Sequence, residues 1–212
     1  MVNLAELIEA VETADSKAAM VMAVRHLAAA QHPEAIPTLI AVLGYNNPGA
    51  AVAAVDGLVT LGRPAVPALL DQLDGYNYGA RAWAIRALAL IGDPLALPVL
   101  LETAAGDFAL SVRRAAVRGL GNLNWEWLAA DQVLPAQSQA LQVLRQSTQD
   151  PEWVVRYAAV VGLETLALAR LKSTNRATVE AIAHHLQAML TAEETPAVQA
   201  RAWLAFEVLR QL

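Results

Sequence analysis

Thirteen arginines stand against two lysines in this 212-residue chain. The imbalance has chemical meaning. A guanidinium is a planar fork that grips a carboxylate through two parallel hydrogen bonds and stacks on flat rings, whereas an ammonium is a point charge. Arg81, Arg86, Arg113, Arg114 and Arg118 fall between residues 76 and 118, against only Asp93, Glu102 and Asp107, in a chain of net charge −5. Tyr76, Tyr78 and Trp83 share that stretch, and Trp125, Trp127, Trp153, Arg156 and Tyr157 follow it. A surface combining arginine with aromatic rings suits a large, flat, carboxylated ligand, or a protein partner whose strongest contacts are of those types. Trp83 and Tyr157 equally suit the filling of a core.

Other chemistries find little support. With no cysteine there is no disulfide, zinc knuckle or thiol nucleophile. His184 and His185 are adjacent, so they leave a helix on different sides and do not share a metal; His26 and His32 flank a helix end. No metal site is expected. Neither a glycine-rich phosphate loop nor a nucleophile elbow is present. The negative net charge argues against a nucleic-acid partner. Apolar runs are broken within a few residues by Arg, Asp, Gly or Pro, so no membrane span is expected. The first residues lack a basic start, so no signal peptide is expected and the chain reads as cytoplasmic.

The elements that must position these side chains repeat. Pro37, Pro67 and Pro98 lie 30 and 31 residues apart. Each opens an apolar helix, followed by a turn and an Ala-rich second helix. A fixed period of this size predicts an α-solenoid, here right-handed with about five to six repeats, whose binding surface is made by one helix of each pair. Inner helices are expected over 16–31, 49–61, 79–91, 110–123, 152–170 and 196–212. Outer helices are expected near 3–13, 34–43, 65–73, 95–105, 136–147 and 176–191. Gly44, Gly62 and Gly92 mark stops, and Pro33, Pro64, Pro94 and Pro151 stand nearby. Residues 124–137 read as an inserted loop carrying Trp125 and Trp127, and 167–175 as an extended inner helix. No linker is evident, so 1–212 reads as a single domain.

Aligning the inner helices on Leu27, Leu58, Leu88, Leu120 and Leu163 stacks Arg25, Asp56, Arg86, Arg118 and Val161 in one column. Arg81, Arg113, Arg156 and Arg201 form another. Asp107 and Asp150 precede Arg113 and Arg156 by six residues, a spacing that resembles the Asp–Arg ladder of HEAT-type helical repeats. Those arginines therefore have two readings, a ladder between repeats or a ligand clamp. Asp56, the one acid of its column, has two as well: an ion pair with Arg25 or Arg86, or hydrogen bonding and proton transfer at a ligand.

The turn Tyr76-Asn-Tyr78-Gly-Ala-Arg81-Ala-Trp83 closely resembles the HEAT-repeat bilin lyases of cyanobacteria. Segments 44–58, 107–121 and 149–159 resemble the F-type subunits of that family, so the likeness spans most of residues 16–165. It implies a heterodimer with an E-type HEAT subunit that attaches phycocyanobilin, as substrate and not cofactor, through a thioether to one cysteine of the apo-phycocyanin alpha subunit. A related pair also isomerises the bilin using a cysteine-containing motif near the C-terminus of its F-type subunit, and this chain has no cysteine, which implies attachment alone. In that setting Arg81, Arg86, Arg113, Arg114, Arg118 or Arg156 would clamp propionates. Tyr76, Tyr78, Trp83, Trp153 or Tyr157 would wall the pocket, and Asp56 would be the candidate catalytic acid. Two other roles fit the same fold: a non-catalytic scaffold for apo-phycobiliprotein or the partner subunit, and a bilin-detaching factor of phycobilisome degradation.

Overall fold

The computed structural model describes residues 3–74, 78–171 and 176–211. Twelve α-helices and no strand occur among these residues, an all-α helical-repeat fold. The helices are α1 (Leu4–Glu12), α2 (Lys17–Ala29), α3 (Ile36–Val42), α4 (Pro48–Leu61), α5 (Val66–Asp71) and α6 (Tyr78–Ile91), then α7 (Leu97–Gly106), α8 (Leu110–Gly121), α9 (Ala130–Ser147), α10 (Trp153–Leu171), α11 (Arg176–Ala192) and α12 (Pro196–Arg210). They fall into two compact units, Met1–Ile91 and Gly92–Leu212. In the first, α4 packs between α2 and α6, while α1, α3 and α5 back α2, α4 and α6. In the second, α10 packs between α8 and α12, with α7, α9 and α11 backing them.

The alternation follows from the punctuation of the chain. Short 3₁₀ turns at Pro33–Ala35, Arg63–Ala65 and Pro94–Ala96 lead into α3, α5 and α7. Pro37, Pro67 and Pro98 then occupy the first positions of those helices, where a missing N–H costs nothing. Side chains cap the orphan donors at helix starts. Ser16 Oγ accepts from the Ala19 amide, and Asn47 Oδ1 accepts from the Ala50 amide. Asn47 also donates its Nδ2 to the Lys17 carbonyl at 3.0 Å, tying the start of α4 to the start of α2.

The expected leucine register holds within each unit. Leu27, Leu58 and Leu88 in the first, and Leu120 and Leu163 in the second, are fully buried. At ~25 cal/mol per Å² of apolar surface, each contributes about 2 kcal/mol. Helices α8 and α10 approach more closely than side chains permit: a Cβ built on Gly121 would lie 2.6 Å from the Gly162 Cα.

The expected loop over 124–137 is shorter than its sequence suggests. A 3₁₀ turn covers Trp125–Trp127, and α9 already begins at Ala130 with Pro135 inside it. Proline this early in a helix removes one hydrogen bond and does not prevent the helix. Trp125 is buried, whereas Trp127 is exposed. The extension of the fifth inner helix is present to Leu171, and residues 172–175 lie outside the described residues.

Candidate functional site

In the first unit, α6 carries Tyr78, Arg81, Trp83 and Arg86. Tyr78, Arg81 and Trp83 are half-buried and Arg86 is exposed. Trp83 is therefore not a sealed core residue. The Arg86 guanidinium carbon lies 5.6 Å from the centroid of its ring, a cation–π arrangement that holds the charge over the indole face. Tyr76 lies outside the described residues. Asp56 stands exposed on α4. The expected ion pair with Arg25 or Arg86 is absent from the described residues; the recorded hydrogen bond at this position is to the Asp56 backbone carbonyl, from Thr60 Oγ1. Asp56 and Arg25 instead line one surface cavity of about 250 Å³ between α2 and α4.

In the second unit the two arginine columns separate. Arg113 and Arg156 form the ladder. Arg113 donates Nε and Nη2 to the two carboxylate oxygens of Asp150 at 2.8 and 3.1 Å, and Nη1 to the carbonyls of Asp107 and Phe108. Arg156 repeats the pattern one step on. It donates Nε and Nη2 to Glu193 at 2.8 Å, Nη1 to the carbonyls of Asp150 and Pro151, and Nη2 also to Thr195 Oγ1. Asp150, six residues upstream of Arg156, thus offers its backbone carbonyl to Arg156 and its carboxylate to Arg113 of the preceding repeat. Arg201 pairs in the opposite sense, reaching back to Glu164 on α10. The geometry commits the forks of Arg113 and Arg156 to holding repeats together.

The electrostatics agree. The hydrogen bond from Arg156, with the Thr195 amide and hydroxyl, holds the Glu193 carboxyl at about 2 against the opposing effect of burial. For Asp150 burial acts most strongly and upward. The Arg113 hydrogen bond, the Glu152 amide and the two guanidinium charges together outweigh it, so its pKa ends lower than usual. Arg113 and Arg156 are raised, chiefly by the hydrogen bonds to Asp150 and Glu193.

What the ladder leaves outward is a second set. Arg114 and Arg118 stand exposed four residues apart on α8. Trp153 and Tyr157, also four apart, are 46% and 38% exposed on α10, which packs directly against α8. Residues four apart share a helix face. The unit therefore presents two exposed cations and two aromatic rings from neighbouring helices, and Tyr157 is not a core filler. His185 is half-buried and shares a 3.0 Å hydrogen bond with Thr148, whose hydroxyl donates to the Arg145 carbonyl, so the His185 Nε2–H donates to Thr148. His184 is exposed, so the adjacent histidines do diverge.

Sequence reasoning passed over three features. Glu193 and Thr195 as the ladder's third rung sit in a segment where the repeat signal is weak. Exposed Trp203 and Leu204 on α12 carry no motif. Gln31, at the rim of the α2/α4 cavity, was legible: it occupies the place where the next two inner helices end in Gly62 and Gly92.

A family model described as HEAT repeats matches residues 4–75, 46–121 and 66–164. The "Phycobilisome maturation protein" of Synechococcus elongatus is 56% identical over 94% of this chain and 95% of its own length. The "Phycocyanin alpha phycocyanobilin lyase CpcF" of a Synechocystis species is 59% identical over 78% of this chain and 77% of its own length. The chain belongs to the HEAT-repeat bilin lyase family. Among solved structures, a chain in the complex of CpcE and CpcF of phycocyanin lyase from a Nostoc species superposes with a TM-score of 0.73 at 52% identity, covering 81% of this chain and 98% of that one. The likeness to bilin lyase proteins thus extends well beyond the segments in which it was expected, over nearly the whole chain.

Proposed function

We propose that this chain is the F-type subunit of a heterodimeric bilin lyase, pairing with an E-type HEAT subunit to attach phycocyanobilin to a cysteine of the apo-phycocyanin alpha subunit. The observation that carries the reading is its 59% identity to a protein named as the phycocyanin alpha phycocyanobilin lyase CpcF. The chain acts as one functional unit over 1–212, in the cytoplasm. No single described helix is long and apolar enough to cross a membrane, in keeping with that placement.

The chemistry asks little reactive equipment of this subunit. The chain has no thiol, so the nucleophile is the acceptor's cysteine thiolate. It attacks the ethylidene carbon of the bilin. The C–S bond forms, the π pair of the double bond moves to the adjacent ring carbon, and that carbon takes up a proton. Orientation is what remains for the lyase, and holding reacting atoms near attack distance accounts for up to ~7–11 kcal/mol of barrier lowering in well-oriented systems. Within the first unit Arg86 with Trp83, and within the second Arg114 and Arg118 with Trp153 and Tyr157, each form a set of cation and ring faces suited to a propionate and the conjugated rings. Tyr78 and Arg81 lie on the same helix as Trp83 and Arg86. Asp56 is the candidate acid for exchanging the proton. Bilin absorbance during transfer to apo-alpha subunit, with this chain alone, the E-type subunit alone and both together, tests the reading: the thioether product requires both. A product that forms equally well without this chain removes it from the enzyme.

A further inference from the structure

The cavity between α2 and α4 has a floor of small residues, among them Gly49, Ala53 and Gly57, and a polar rim of Arg25, Gln31, Asp56 and Thr60. Its volume of about 250 Å³ falls below the ~300–1,000 Å³ typical of pockets that enclose a whole drug-sized molecule, so it takes one end of a ligand. Three observations make it more than a gap between helices. Arg25 and Asp56 face the same cavity with opposite charge, yet no ion pair joins them among the described residues. The rest of the lining is small or apolar, with Ala28, Ala29, Val52 and Ala53 beside the two glycines. Gln31 is the only described non-glycine residue with positive φ, at 49°, a region that favours glycine. At the equivalent ends of α4 and α6 the chain uses Gly62 and Gly92, both at φ 70°. A side chain held at a φ that favours glycine, at the edge of a cavity, is an outlier of the kind that clusters at ligand sites.

We infer that this groove is a subsite for a planar ring bearing both a carboxylate and N–H donors. Under the function proposed above, on which this rests, that ring is a propionate-bearing pyrrole at one end of the bilin. Arg25 takes the carboxylate bidentately, Asp56 accepts from the ring N–H, and Gln31 offers its amide to either. Arg25 and Gln31 are then binding residues outside the arginine-aromatic groups of α6, α8 and α10.

The test uses the complex with the E-type subunit and compares phycocyanobilin with its dimethyl ester, whose propionates carry no charge. Wild type binds the free acid at least tenfold more tightly than the ester by absorbance titration. Arg25→Ala at least halves that preference by weakening the acid alone, and Arg25→Lys restores less than half of the lost discrimination. Gln31→Gly weakens acid binding several-fold while melting at or above the wild-type temperature, which a purely structural residue would not do. Three results overturn the inference: an undiminished acid preference in Arg25→Ala, a Gln31→Gly that melts lower or binds as wild type, or an Arg25→Ala that instead separates the two subunits, which would mean that the groove holds an acidic side chain of the partner. In each of these the wild-type pair still transfers bilin, so the proposed lyase function stands. Loss of transfer by the wild-type pair would sink both readings.

Discussion

Arg86 and Arg156 carry the same functional group to opposite ends. Arg156 donates to five acceptor oxygens of the ladder, so removing its partner leaves a guanidinium unsatisfied. Glu193→Gln is expected to cost about 2 kcal/mol of unfolding free energy in urea titration, in the range for hydrogen bonds to charged groups. It should also flatten acid unfolding. Glu193 has its folded pKa lowered to about 2 from an ordinary 4.5, so its stabilisation is complete above pH 4.5 and lost as pH falls toward 2. Asp150, also lowered, acts in the same direction. His185 is lowered by burial first and by the charge of Arg145 second. It resists protonation when folded, so some stability is already lost as pH drops below its ordinary value of 6.5. Arg86 has no such obligation. Arg86→Ala and Trp83→Ala should slow bilin transfer with helical circular dichroism near wild type. Arg86→Lys should recover little, since a point charge does not replace a stacking fork. Early melting of both alanine variants would return the pair to the fold. The ladder's arginines were legible because Asp107–Arg113 and Asp150–Arg156 repeat a spacing. Which carboxylate each fork meets was not, because that choice is made between repeats.

At the level of helices, nearly all the architecture could be read from punctuation and period. The six inner helices fall within a few residues of their expected bounds because leucine burial and the Gly or Pro stops act locally. α9 begins six residues before its expected start, with Pro135 inside it as a missing donor. The close approach of α8 and α10 was hidden as well. Gly121 and Gly162 look like ordinary weak points in helical stretches until the two backbones are placed together. Their opposite consequence is measurable. Glycine to alanine inside a helix ordinarily gains up to ~1 kcal/mol. Gly121→Ala should instead lose about 1–3 kcal/mol, the usual cost of overpacking, because its Cβ would meet Gly162 backbone at 2.6 Å. Gly106→Ala, at the end of α7 with nothing within 4 Å of the added carbon, should be neutral or stabilising. Urea midpoints of the two variants moving the same way would contradict the packing of α8 on α10.

For the whole molecule the decisive fact is an absence in the sequence: 212 residues without a thiol. A covalent bilin must then sit on the acceptor or a partner. Trp203 and Leu204, 56% and 50% exposed on the last helix, add apolar surface of the kind that a partner covers. With an E-type subunit the chain should form a stable complex burying more than ~1,200 Å², and light scattering on the co-expressed pair checks this. Two independent monomers at micromolar concentration would end the idea. Phycocyanobilin added to that pair should bind reversibly and leave during denaturing electrophoresis. Addition of apo-phycocyanin alpha subunit should move it into a denaturant-resistant thioether on that protein. The rate should rise with pH as the acceptor cysteine ionises, since the thiolate attacks and an ordinary thiol titrates near ~8.5. Because the pair acts by orientation, it should also suppress the misattached and oxidised adducts that free bilin forms by itself. Bilin found covalently on this chain would refute the mechanism. A product mixture unchanged by the pair would reduce it to a bilin carrier, since a carrier raises local concentration and leaves the choice of attacking atom to solution chemistry.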